Sequence, residues 1–331
     1  MRRPKTHMCA LSIANMSNSD VSTSHMMADY LDRIGAGKVL LDRAPFSFDW
    51  TPPALVGRDE ELRGLASMFV GIEHQGVSGR AVITGPVGSG KTVMTRRFGE
   101  DLQRALDGRR KLMLAHVNCR NHSTASQVLQ EVARSLDSGH PERGLSSSEV
   151  IQSIRRNLGT QEAHLLLVLD EVDVLIRNDK GDLIYKLLRI DEGQNRQGSV
   201  SMILVSQDTS LIKLFEPAII SRLGESNMLT LGGYGEEALV EIAKQRYEEA
   251  CRPGSVDDDA LGKIGRFAAE SGDARLAIEL LEAAIIRVEK DGRGDVLAED
   301  VRPSTLRAAS VEPSQVDELG DHQKLVLLGI C

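Results

Sequence analysis

The sequence predicts an α/β fold, a three-layer domain on a largely parallel sheet followed by an all-α domain. Three observations carry that reading. Short apolar runs alternate with amphipathic helical stretches from the Pro52-Pro53 doublet to Gly232-Gly233. A glycine-rich loop stands directly between one such run and the helix after it. Beyond Gly233 only helical periodicity continues.

The bulk properties agree. A chain of 331 residues is about two domains long, and 41% hydrophobic content can build real cores. No apolar run approaches the ~20 residues of a bilayer-spanning helix, so no membrane partner is expected. Aromatics at 3% argue against a single-strand binder built on stacking platforms. Cys9, Cys119, Cys251 and Cys331 lie far apart with no CxxC pair, which fits a reducing cytoplasm rather than a disulfide framework or zinc ribbon. The net charge of −8 is uneven: residues 1–233 balance at +1 and residues 234–331 at −9. A generic polyanion binder would be basic, so any contact with nucleic acid must come from a local patch.

Residues 1–50 lack a sustained period and read as a mobile arm with one short helix at 26–34. Strands are expected at 80–84, 111–117, 164–169, 200–206 and 227–231, with helices at 60–72, 92–106, 125–136, 148–158 and 183–190 between them. A short helix follows Pro217. Helices at 236–251, 258–271, 274–289 and 298–309 complete the second domain; the third carries a core stripe of Ala277, Leu280, Leu281, Ala284, Ile285 and Val288. The last apolar stretch, 322–330, reads either as a helix docking on the small domain or as the first element of a further one.

The chemistry is concentrated in Gly85-Pro86-Val87-Gly88-Ser89-Gly90-Lys91-Thr92, which fits GxxxxGK[ST] in the strand–loop–helix setting that motif requires. The glycines let backbone N–H groups point inward at phosphate oxygens, and the helix N-terminus adds its dipole. Lys91 reaches the β- and γ-phosphates, and the Thr92 hydroxyl is placed for Mg²⁺. At the end of the buried run HLLLVLDEVD, Asp170 would hold Mg²⁺, directly or through water, and Glu171 would polarise the attacking water. That pair favours a nucleotide hydrolase over a small-molecule kinase. With no NKxD element, the expected nucleotide is ATP. Three more positions fit an intersubunit or interdomain ATPase. Gln207 closes the fourth strand and could orient the lytic water. Arg222 could act as an arginine finger in a neighbour's site, and Arg275 could reach back from the small domain to the γ-phosphate.

With these residues assembled, the chain resembles the AAA+ ATPases, and within them the archaeal replication-initiator family of the Orc/Cdc type. The matching segments are LVGRDEEL, GPVGSGKT, LLLVLDEVD, DLIYKLLRI, SRLGE, GGYGEEALVEIAKQR and GDARLAIELL, from about residue 55 onward. The resemblance implies strand order 5-1-4-3-2, a helical lid, and a C-terminal winged helix for origin DNA. Its domains would be an arm at 1–50, a nucleotide-binding domain at 51–233, a lid at 234–311 and the start of a truncated winged helix at 312–331. It implies that Gly88, Ser89, Gly90, Lys91, Thr92 and Val93 cradle phosphate and that Tyr234 and Arg246 contact the nucleotide from the lid. The stretch from Val56 to Arg58 would flank adenine. Residues 182–198 correspond to an initiator-specific insertion beside DNA, with Lys186, Arg189 and Arg196 as candidate phosphate contacts. Gln207 stands where the family usually has Asn, and Ala218 where a basic residue is common. The function so implied is an ATP-dependent initiator that binds origin duplex and supports helicase recruitment, beside other initiator subunits in a nucleoid-associated cytoplasmic setting. ATP and ADP would switch its conformation, with slow hydrolysis. The alternatives are a regulatory AAA+ paralogue without DNA recognition, which the acidic second half favours, and a STAND-type signalling ATPase.

Overall fold

The computed structural model describes residues 37–47, 49–190 and 199–302. The expected helix at 26–34, residues 191–198 with Arg196, and the stretch at 322–330 lie outside them.

In chain order the elements of the first domain are α1 (Asp59–Ser67), β1 (Arg80–Thr84), α2 (Lys91–Leu106), β2 (Leu112–Asn118), α3 (Ala125–Leu136), α4 (Ser147–Thr160), β3 (His164–Asp170), α5 (Val172–Asp179), α6 (Asp182–Leu188), β4 (Ser199–Ser206), α7 (Pro217–Leu223) and β5 (Met228–Thr230). The lid holds α8 (Glu236–Ala250), α9 (Asp258–Ala269) and α10 (Ala274–Lys290). Local chemistry sets several boundaries. Thr124 with Gln127 and Ser146 with Glu149 form capping boxes that start α3 and α4. Asp59, Glu60 and Glu61 face the positive end of α1, and Pro217 opens α7.

All strand pairs are parallel, in the order β2-β3-β4-β1-β5, which is the expected 5-1-4-3-2 read from the other edge. β3 and β4 are buried at every position, as central parallel strands should be. The strand period of two divides β3 between two cores. Leu165, Leu167 and Leu169 pack with α3, α4, α5 and α6, while Leu166 and Val168 pack with α1 and α2. A third core, within the lid, contains the predicted stripe of α10. The sheet aligns the C-terminal ends of its strands, where Asp170 lies level with Asn118.

The structure corrects three expectations. The helix expected to reach residue 72 stops at Ser67; Gly71 adopts a positive φ of 82°, and Phe69 and Ile72 turn into the core beside α2. Of the helix expected at 298–309, the described part is a single 3₁₀ turn, Ala298–Asp300, after which Val301 returns to extended backbone, and residues 303–309 lie outside the described residues. Arg302 precedes Pro303 in the sequence, which disfavours helix there. Residues 37–47 and 49–50 are no loose arm. Val39 and Phe46 are buried in the lid core, Leu40 bridges to Cys251, and the N–H groups of Leu41 and Asp42 donate to Ala250 O. Cys119 and Cys251 are free and buried, and burial pushes both thiols up to about 12.

At the N-terminal ends of the strands, opposite the loop, His164 is fully buried between Ser199 Oγ (2.5 Å from Nδ1) and Ser201 Oγ (2.7 Å from Nε2). Burial, with the nearby Arg110 guanidinium, lowers its pKa from 6.5 to about 3. The folded protein therefore keeps His164 neutral across a range in which the unfolded chain takes up a proton. Its contribution is intact above pH 6.5 and declines as pH falls toward 3, by up to about 1.4 kcal/mol per pH unit. Denaturant midpoints measured from pH 7 down to pH 5 should fall, and His164→Gln, which cannot titrate, should fall less.

Candidate functional site

The phosphate loop curls between β1 and α2. Gly88 and Gly90 adopt φ of 71° and 84°, which other residues reach only under strain, and Gly90 forms the N-cap of α2. Lys91 is buried beneath the loop, its Nζ donating to Gly85 O (2.8 Å) and Pro86 O (2.6 Å). Burial holds its ammonium below the usual lysine range; Asp170 opposes that shift and Arg275 adds to it. Ser89 is fully buried, with its hydroxyl on Pro86 O at 2.8 Å.

The Thr92 hydroxyl donates to Asp170 Oδ2 at 2.6 Å, and His116 Nε2 stands 3.4 Å from the same oxygen. Burial would raise the Asp170 pKa, yet hydrogen bonds from His116 and Thr92 outweigh it and hold the carboxyl below its ordinary value. An ionised carboxylate touching a hydroxyl is an all-oxygen donor set suited to Mg²⁺, which retains waters and phosphate oxygens as its other ligands. Among the described residues no cluster of three His, Cys, Asp or Glu could hold a metal by itself, so this pair would need the nucleotide to complete the shell.

Glu171 turns the chain from β3 into α5 with φ 53° and ψ 42°, a left-handed conformation that is uncommon for a non-glycine residue. Its N–H donates to Asp170 Oδ1 at 2.9 Å, and the turn brings its side chain to the cavity wall. There Arg120, from the loop after β2, forms an ion pair with Oε2. The contact is close but poorly directed, and Oε2 has no aligned hydrogen-bond donor. A guanidinium on this oxygen occupies the position from which a carboxylate here would address water. Arg120→Ala should therefore raise basal ATP turnover severalfold in a phosphate-release assay; unchanged turnover would show that the pair does not restrain Glu171.

These groups share one cavity of about 370 Å³. Its floor is the loop with Gly88, Gly90, Lys91, Thr92 and Val93. One wall is the strand ends with His116, Asp170, Glu171 and Gln207, and the roof is the lid with Tyr234, Arg246 and Arg275. Phe46, Pro52, Leu55 and Val56 close the apolar end. From the roof, Arg246 reaches over that end with its guanidinium 4.0 Å from the Trp50 ring centroid and its Nη1 on Pro45 O at 2.8 Å. Burial lowers its pKa to about 10. The lid closes onto the loop: Ala274 N–H donates to Gly88 O at 3.1 Å, and Asp273 caps α10 through Arg275 N–H at 2.7 Å.

Gly85 and Ser89 belong to the loop without facing the cavity. Arg222, in the last turn of α7, lies outside the cavity with its guanidinium 5.6 Å from the Tyr185 ring. Lys186 and Arg189 lie on or just after α6, also away from the cavity and exposed, paired with Asp182 and stacked on Tyr185 respectively. His116 and Asn118 were missed as cavity residues, although alternation along β2 puts them on one face and the register sets Asn118 opposite Asp170.

The fold and the cavity agree with the proteins this chain resembles. A model described as an AAA domain matches residues 76–215, and one described as a Cdc6 AAA+ ATPase-type lid domain matches 240–305. The ORC1-type DNA replication protein of Desulfurococcus amylolyticus is 32% identical over 310 residues, covering 91% of this chain and 78% of that protein. The chain belongs to the ORC1-type DNA replication protein family. The ORC1-type DNA replication protein 1 of Sulfolobus acidocaldarius is 29% identical, covering 92% of this chain and 77% of its own length. Among solved structures, the Aeropyrum pernix ORC1 protein in complex with DNA superposes with a TM-score of 0.72 at 30% identity, over 89% of this chain and 77% of that one. The Aeropyrum pernix ORC2 protein, described as ADPNP-ADP complexes, shares the fold with a TM-score of 0.77 at 24% identity, over 85% and 76%. The helical domain of this ORC1-type protein is thus a Cdc6-type lid, and its sheet domain is the AAA+ core.

Proposed function

We propose that this ORC1-type protein is an ATP-switched initiator of DNA replication that binds origin duplex and supports recruitment of the replicative helicase. The observation that carries the reading is the convergence of loop, acidic strand end and lid arginine on one cavity. The loop N–H groups and Lys91 hold the phosphates of ATP. Thr92 and Asp170 would hold Mg²⁺, which neutralises phosphate charge when bound. Glu171 accepts the proton of the attacking water as that oxygen bonds the γ-phosphorus and the bond to the β–γ bridging oxygen breaks. Gln207, exposed at the cavity rim, is placed to orient the water, and Arg275 ties lid position to the γ-phosphate. Arg222, lying outside its own cavity, is suited to act in the site of another initiator subunit. Pairing of Glu171 with Arg120 keeps turnover slow, as a switch requires.

For DNA, the exposed Lys186 and Arg189 present phosphate-binding cations on an otherwise acidic protein. The Aeropyrum pernix relative solved with DNA supports a duplex partner. Titration of duplex with the whole chain at several salt concentrations tests this. Log affinity should fall linearly with log salt, and reversing both charges, Lys186→Glu with Arg189→Glu, should reduce the slope by about 2. No binding at low salt, with or without ATP, would instead favour the regulatory reading.

A further inference from the structure

Arg58 and Arg246 are the two buried arginines among the described residues. Arg246 lines the cavity; Arg58 does not, and its surroundings are unlike those of a nucleotide contact. Its Nη2 donates to Ser89 O of the phosphate loop (3.0 Å) and to Gly232 O of the linker that leaves β5 (2.7 Å). Its Nη1 meets Glu61 at 2.7 Å, and its guanidinium carbon lies 4.1 Å from the ring centroid of Tyr234, at the start of the lid. Loop, linker and lid therefore meet on one side chain.

The segments are packed closely enough for that meeting to transmit movement. A Cβ on Gly272 would come within 2.9 Å of Gly233 Cα, a Cβ on Gly90 within 2.5 Å of the Tyr234 hydroxyl, and Tyr234 N–H donates to Gly272 O at 3.0 Å. A loop that turns its N–H groups toward phosphate turns carbonyls outward, and Ser89 O is an outward carbonyl received by Arg58. The planar guanidinium lets Nη2 hold both carbonyls while Nη1 reaches Glu61 and the plane stacks on the Tyr234 ring; a lysine ammonium has no planar face and no second nitrogen to hold that arrangement.

We propose that Arg58 is a positioning residue that couples the phosphate loop to the lid, so that occupancy of the loop sets the orientation of the lid through Ser89, Gly232 and Tyr234. The proposal rests on the reading that ATP binds the loop and moves the lid. It adds the side chain that carries the coupling, in place of the adenine-flanking role expected for this stretch.

Hydrogen exchange of the full chain with and without ATP and Mg²⁺, read separately over the phosphate loop and over α8, tests it. In the unaltered protein ATP should protect both. In Arg58→Lys, ATP should bind within about tenfold of the unaltered affinity and protect the loop, while the response of α8 disappears. Tyr234→Phe, which keeps the ring, should keep the α8 response; Tyr234→Leu should lose it. An α8 response in Arg58→Lys equal to that of the unaltered protein overturns the proposal while leaving the ATP switch intact. Loss of loop protection in Arg58→Lys also overturns it, since Arg58 would then serve binding. Loop protection without any α8 response in the unaltered protein refutes the switch itself, and the coupling with it.

Discussion

Glu171→Gln should bind ATP with near-normal affinity and lose its turnover, by about 10²–10⁴-fold. The carboxylate is held at the cavity wall by a left-handed turn and is one residue from the Asp170–Thr92 pair. The amide keeps that shape and the hydrogen bond from the Glu171 N–H to Asp170, but cannot take a proton from water. Nucleotide affinity measured by equilibrium titration and phosphate release measured in a single turnover separate the two effects. Normal hydrolysis by the variant would move the base to another group.

The second large effect is at the loop. Lys91→Ala should weaken ATP binding by about 30-fold or more, because truncating a buried, hydrogen-bonded charge costs about 2–5 kcal/mol in comparable contacts. In this structure Lys91 Nζ braces Gly85 O and Pro86 O and lies close enough to Asp170 to feel its charge. Removing it takes away the cation proposed to hold phosphate and unpairs the Gly85 and Pro86 carbonyls that it braces. Burial holds the ammonium below the ordinary lysine range, so a phosphate arriving beside it should raise its pKa and take up a fraction of a proton near the alkaline end of the titration. Affinity for ATP in the unaltered protein should therefore decline at alkaline pH as Lys91 deprotonates, a decline absent in Lys91→Ala.

What was legible in the sequence was what is local in the chain. Residues 85–92 form the loop by themselves, and the acids follow a five-residue apolar run whose burial is forced by composition. Strand order was not legible from periodicity and came with the resemblance; the register of β3 on β2 and β4 then explains why Asp170 faces the loop. Other features depend on contacts that no spacing encodes. Residues 37–47 look like a tail because their partners, Ala250 and Cys251, are in the lid. Arg120 looks like an ordinary charge after a strand until the fold lays it on Glu171. Arg58 falls in a segment expected beside adenine, yet its donors point at backbone carbonyls of the loop and the linker. The 3₁₀ turn at Ala298–Asp300 looks like a helix start in sequence because its acids resemble a helix's first turn.

The central claim, that nucleotide in this cavity controls engagement of duplex DNA, is tested most directly by duplex affinity at fixed salt with ATP, with ADP and without nucleotide, in the unaltered chain and in Lys91→Ala. The account predicts that affinity differs between the ATP and ADP states of the unaltered protein and that Lys91→Ala is indifferent to either nucleotide. Equal affinity in all three states of the unaltered protein, at nucleotide concentrations shown to saturate the cavity, would contradict it.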